Sequence, residues 1–230
     1  MRAKIAVLAA LVLVIGSKPA WSQKEPETPH LVFVTEFIRE LAAVEDIRAA
    51  GEKENNQNRD KPFPNMIHTS TLFVLELGSQ NRMMKSMHLS DPFGDITQSI
   101  AAFYDAKIQV WQRMSEIAKT FMAGPADGVD YKKLGTELPE LRGRLEYLDQ
   151  SIFQAAPVVF ASLIDQKADS HDHVSHLIIT KAEKAALIDR LNTSFGPKLD
   201  QKNQNYTVSA ASVLKGYLQK DFKCADEPWD

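Results

Sequence analysis

The chain has 230 residues, 44% of them apolar, and a formal charge of −3, which is enough for one domain with a real core. No basic run is longer than Lys132-Lys133. That excludes nucleic acid as the partner, because such affinity rests on clustered Lys and Arg facing phosphates. Cys224 is the single cysteine, so neither an intramolecular disulfide nor a Cys-x-x-Cys redox pair can form.

Residues 1–22, MRAKIAVLAALVLVIGSKPAWS, read as a secretory signal peptide. Arg2 and Lys4 precede an apolar run from Ile5 to Gly16, and Ala20-Trp21-Ser22 supplies small residues where a peptidase cleaves. As a helix that run rises about 18 Å, short of the roughly 30 Å hydrocarbon core. No later run approaches membrane length, so no span is expected in the mature chain. Removal of 1–22 takes away Arg2, Lys4 and Lys18 and no acid, which leaves residues 23–230 more acidic. The expected location is periplasmic or secreted, and a bacterial envelope fits best.

Residues 23–230 read as a single all-α domain, an antiparallel bundle of about five to seven helices. The first helix is expected over His30–Ala50, with Val34, Phe37, Ile38, Leu41, Val44 and Ile47 on one stripe. Gly51–Pro64 has neither period nor apolar content and reads as a loop. The second helix is expected from Asn65 to His88, and the third from Asp95 to Met122. The stripe of the third carries Ile100, Tyr104, Ile108, Trp111, Ser115, Ala118 and Phe121.

A fourth segment begins near Asp130 and is interrupted at Pro139. Its face from Leu141 to Leu163 encloses Pro157, so one bent helix or two short ones meeting at Ala156 are expected. Val174–Ile179 is the one stretch compatible with a short strand. Thr180 and Glu183 form a capping box for a helix ending at Gly196-Pro197. A last helix is expected over Tyr206–Phe222, followed by a loose C-terminal tail.

Catalytic signatures are missing. There is no glycine-rich phosphate loop, no Gly-x-Ser-x-Gly elbow and no His-Glu-x-x-His. Only Glu27 is followed by His three positions later, at His30, and a di-metal carboxylate bundle requires two such pairs. Glu76, flanked by Leu72, Phe73 and Leu75, is a candidate buried carboxylate or an edge residue paired with an Arg such as Arg82 or Arg113. Met83, Met84 and Met87 read as core, with a pliable partner groove as the rival.

The conspicuous cluster is SHDHVSH, with His171, His173 and His176 beside Asp169 and Asp172. In a helix His171 lies about 200° from His173, and in a strand His176 points away from the other two. A metal site using these five residues therefore needs an irregular loop. A pH-sensing pair is a second reading. The spacing favours a solvated connector ahead of Thr180. The sequons at Asn192 and Asn205 matter only on a eukaryotic secretory route.

The expectation is an exported soluble bundle with a binding or assembly role, acting on a protein partner or small ligand not named by the sequence. A metal- or small-ligand-binding bundle using His171–His176 and an enzyme with a dispersed site are the rivals. No cofactor is indicated. N-terminal sequencing of protein from its own host is expected to begin at Gln23. An intact Met1 would overturn the cleavage assignment.

Overall fold

The structure is a computed structural model that describes residues 29–89, 93–165, 175–202 and 204–228. The expected signal segment, His171, His173, Asp169 and Asp172 lie outside the described residues. The described chain is an all-α bundle of six helices: α1 Pro29–Gln57, α2 Pro62–Ser86, α3 Phe93–Ala123, α4 Tyr131–Ala161, α5 Lys181–Phe195 and α6 Tyr206–Leu218. No helix among the described residues is long and apolar enough to cross a membrane.

The first four helices alternate in direction, as their cross-contacts show. Between α2 and α3, Phe63 stacks on Phe121 at 4.9 Å, Phe73 on Trp111 at 4.4 Å, and Lys85 Nζ reaches Asp105 Oδ2 at 2.7 Å. Between α1 and α2, Arg39 Nη2 donates to Gln80 Oε1 at 2.9 Å and Glu54 meets His68 at 3.0 Å. Between α3 and α4, Lys107 pairs with Asp149 and Arg113 with Glu137. Each ladder climbs one helix while descending the other. Helices α5 and α6 close the bundle over α1 and α4.

The large apolar core draws Phe33, Phe37 and Ile38 from α1, Ile100 and Tyr104 from α3, Val159 and Phe160 from α4, and Ala211 and Leu214 from α6. A smaller cluster of Val110, Met114, Leu145 and Leu148 lies apart from it, between α3 and α4. Met84 is buried and Met87 packs on the large core, whereas Met83 is half-buried and belongs to neither apolar cluster.

The expected loop over Gly51–Pro64 is corrected, because α1 continues to Gln57 and the connection shrinks to 58–61. Two polar turns carry this extension. Arg48 bonds Glu52 one turn on, and Asn65 Nδ2 donates to the carbonyls of Glu54 and Asn58 at 3.4 and 3.3 Å. Gly51 is buried where α1 crosses α2, and a Cβ there would meet Thr69 Oγ1 at 3.0 Å. Hydrophobic period gives no sign of a helix held in this way.

Helix α4 runs without a break past Pro139 and Pro157, so the expected interruption at Pro139 is corrected. Asp130 starts it by accepting from Lys133 N at 2.9 Å. The buried row Leu145, Leu148, Ile152, Ala156 and Val159 holds it through the backbone bonds that the prolines remove.

Two residue pairs, Ile164–Leu177 and Asp165–His176, form a minimal antiparallel ribbon. The Thr180 capping box is formed, and Gly196 takes φ +47° to end α5. Helix α6 stops a turn short of Phe222. The following chain is fixed up to Glu227, against the expected loose tail. Leu177 N donates to Lys223 O at 2.6 Å, Ala225 N to Ile179 O at 3.0 Å, and Lys181 N to Asp226 Oδ1 at 2.9 Å.

Overpacking the α1–α2 crossing should be costly. Gly51→Leu is expected to lower unfolding free energy by about 1 to 3 kcal/mol in urea titrations. Adding Thr69→Ala should restore part of the loss, and a neutral Gly51→Leu would contradict the close approach.

Candidate functional site

Where the two apolar clusters meet, a cavity of about 850 Å³ opens between α1, α2, α3, α4 and the chain leading into α6. Val44 and Phe73 face it from the large core, and Met114 and Leu145 from the small one. Trp111 packs against both clusters and lines the cavity, stacked on Phe73. The other wall residues are mostly polar or charged, with Arg48 and Glu52 from α1, Arg142, Glu146 and Asp149 from α4, and Arg59 from the α1–α2 turn.

The base is defined by Lys107, whose side chain is 3% exposed although it carries an ammonium. It occupies a stripe position between Tyr104 and Val110. Its Nζ donates to Asp149 Oδ1 at 2.6 Å, which supplies the counter-charge that burial demands. Beneath it a void of about 10 Å³ is bounded by Glu40, Lys107, Asp149 and Thr207. Glu40 is 1% exposed, and its Oε2 has no hydrogen-bond partner among the described residues. Burial pushes this carboxyl well above its ordinary range, against the pull of Lys107.

One turn and a half along α1, Glu45 is equally buried and behaves in the opposite way. Its Oε1 accepts from Arg48 Nη2 at 2.6 Å and Lys198 Nζ at 2.9 Å. Its Oε2 accepts from Arg48 Nε and Asn205 Nδ2, both at 2.9 Å. Burial works to raise this carboxyl, but the donors together hold it below its ordinary value. Asn205 is also the N-cap of α6, with Oδ1 accepting from Val208 N at 3.0 Å. Both ends of the Asn205 amide are therefore engaged, whereas Asn192 is exposed on α5.

The residues singled out in the sequence lie elsewhere. Glu76 is half-buried and accepts from Gln80 Nε2 at 2.9 Å, and Gln80 accepts in turn from Arg39. It thus reaches an arginine through an amide rather than through Arg82 or Arg113. His176 sits in the ribbon opposite Asp165. Asp169, His171, Asp172 and His173 lie outside the described residues; among the described residues no group of three or more metal-binding side chains forms. Cys224 is buried, and desolvation raises its thiol above the ordinary value. That burial disfavours an intermolecular disulfide.

Sequence reasoning passed over Glu40, Glu45 and Lys107. The available signal was a charged residue at an apolar stripe position. Glu40 falls between Phe37 and Val44, and Lys107 between Tyr104 and Val110 or Trp111.

The two buried glutamates should oppose each other in acid titration. Glu45 is held below its ordinary value of 4.5, so its stabilisation is complete above that pH and is lost as pH falls through the folded value. Glu45→Gln is expected to lower stability at pH 7 by about 2 to 4 kcal/mol and to flatten the acid limb. Glu40 is held above 4.5, so it erodes stability as pH rises from there to its folded value. Glu40→Gln should remove that decline. Urea titrations from pH 3 to 8 check both, and parallel profiles for the two variants would contradict the assignment.

Compared with known proteins, the chain matches no family model, no curated protein and no solved structure.

Proposed function

We propose that the protein is an exported helical bundle of the cell envelope that binds a small organic ligand in the cavity between α1, α2, α3 and α4. The observation that carries this reading is the cavity itself. At about 850 Å³ it lies within the range of roughly 300 to 1,000 Å³ typical of ligand pockets. Its composition also fits, with an aromatic and aliphatic wall set against a few charged groups. Export rests on the signal-like residues 1–22, and the binding role rests on the cavity rather than on His171–His176.

Binding fits the chemistry of the wall better than turnover does. Lys107 is committed to Asp149, and Arg48 to Glu45 and Glu52. Among the described residues no histidine lines the cavity. Groups locked in pairs orient a ligand but are poorly placed to carry a proton through a reaction cycle.

Protein from its own host, examined by native mass spectrometry and then extracted with organic solvent, is expected to release a small organic molecule. Met66→Trp, which fills the cavity from α2, should abolish that adduct while the helical spectrum is kept. Clean apoprotein from the host, or an adduct that survives Met66→Trp, would overturn the assignment to this cavity. Turnover of the released molecule by the protein would replace binding with catalysis.

A further inference from the structure

The charge pattern of the cavity carries the reading further, to the class of ligand. Among the described residues seven charged side chains line it: Arg48, Glu52, Arg59, Lys107, Arg142, Glu146 and Asp149. Most of them cancel in pairs. The ammonium of Lys107 is answered by Asp149, and Arg48 is bound by Glu52 in front and by Glu45 behind. The second charge on Glu45 partners, that of Lys198, offsets the remaining carboxylate.

Two guanidiniums and one carboxylate are left over. Arg59, from the α1–α2 turn, and Arg142, from α4, reach the cavity from different walls. Both are exposed, and neither makes a hydrogen bond or ion pair to the described residues. Glu146 is the one remaining acid on the wall among the described residues. The uncommitted balance at the mouth is therefore positive, although the protein as a whole is acidic. The inner wall has no such balance. There Phe73, Trp111, Met114 and Leu145 present apolar and aromatic surface.

Resting on the cavity-binding reading, we infer that the ligand is an amphipathic anion. Its apolar body lies on Trp111, Met114 and Leu145, and its carboxylate or phosphate head is held at the mouth by Arg59 and Arg142. Guanidinium groups suit this task because their planar fork matches the oxygens of either head. Two of them on different walls grip a head that one wall alone would leave in solvent.

Calorimetry on the full chain with four probes of one apolar body tests the assignment: 2-naphthoate, 2-naphthyl phosphate, neutral 2-naphthol and cationic 2-naphthylmethylamine. At least one anion is expected to bind about tenfold more tightly than the amine, and to weaken as salt is raised. The carboxylate and phosphate arms show which head is preferred. Arg59→Gln and Arg142→Gln should each weaken the preferred anion by about three- to tenfold and leave 2-naphthol unchanged. Both residues are exposed, so the variants should fold.

If 2-naphthol binds, is blocked by Met66→Trp, and the anions gain nothing over the amine, the anion assignment falls and the cavity reading stands. Anion preference that survives both arginine substitutions also overturns it. If no probe binds and the host protein is clean, the cavity reading fails and takes this inference with it.

Discussion

The carboxylate of Glu45 is the constraint on which the arrangement around the cavity depends. It is fully buried and accepts from three different side chains, two of them more than 150 positions away. Through Lys198 it fixes the 3-10 turn Gly196–Asp200, and through Asn205 it fixes the residue that starts α6. The first turn of α6 is in turn part of the cavity wall, at Tyr206 and Thr207. A buried acid without such donors would be driven to its neutral form. Glu40, on the same helix, shows that alternative in the same molecule.

These charges explain why the apolar interior divides into two. A continuous core would require an apolar residue at position 107 of the α3 stripe. The protein instead has an ammonium there, which needs Asp149 from α4. Both members of that ion pair line the cavity, together with Val44 and Phe73 of the large core and Met114 and Leu145 of the small one. A hydrophobic replacement of similar volume is often at least as stabilising as a buried ion pair. The pair therefore costs stability that packing alone would recover, and its presence at the base of the cavity is consistent with a site kept open for a ligand.

Much of the bundle was legible from hydrophobic period. The α2, α3 and α5 boundaries fall within a few residues of those expected, because their stripes, and the capping box of α5, are local signals. The end of α1 was not legible, since Gly51–Gln57 is held by polar bonds and by close backbone approach at Thr69, neither of which leaves an apolar pattern. Pro139 misled for the opposite reason. Its local cost is real, but burial of the long α4 face outweighs it. The site was legible only in part. Lys107 and Glu40 break their stripes visibly, yet the sequence does not say that Asp149 and Thr207 arrive beside them. The histidine segment drew attention because its residues are adjacent in the chain. The cavity is built from residues that are not.

The cavity is too large and too well braced to be a packing defect. An engineered void that stays dry and accepts benzene measures about 150 Å³, several times smaller. Here the walls are set by contacts at the edge of the opening and beyond it. Gly51 lets α1 and α2 close up at one edge. Arg113 grips Glu137 through two parallel bonds of 2.7 and 2.9 Å and fixes the start of α4 against α3. Tyr131, the first residue of α4, donates its hydroxyl to Gly124 O at 2.5 Å. Between these braces α2 meets α3 at the Phe73–Trp111 stack, and α3 meets α4 through Lys107 and Asp149 beside the small apolar cluster. A ligand seated there would add apolar contact to Phe73 of α2, Trp111 and Met114 of α3 and Leu145 of α4. Stability should then follow ligand concentration by mass action, since the unfolded chain has no such surface to offer.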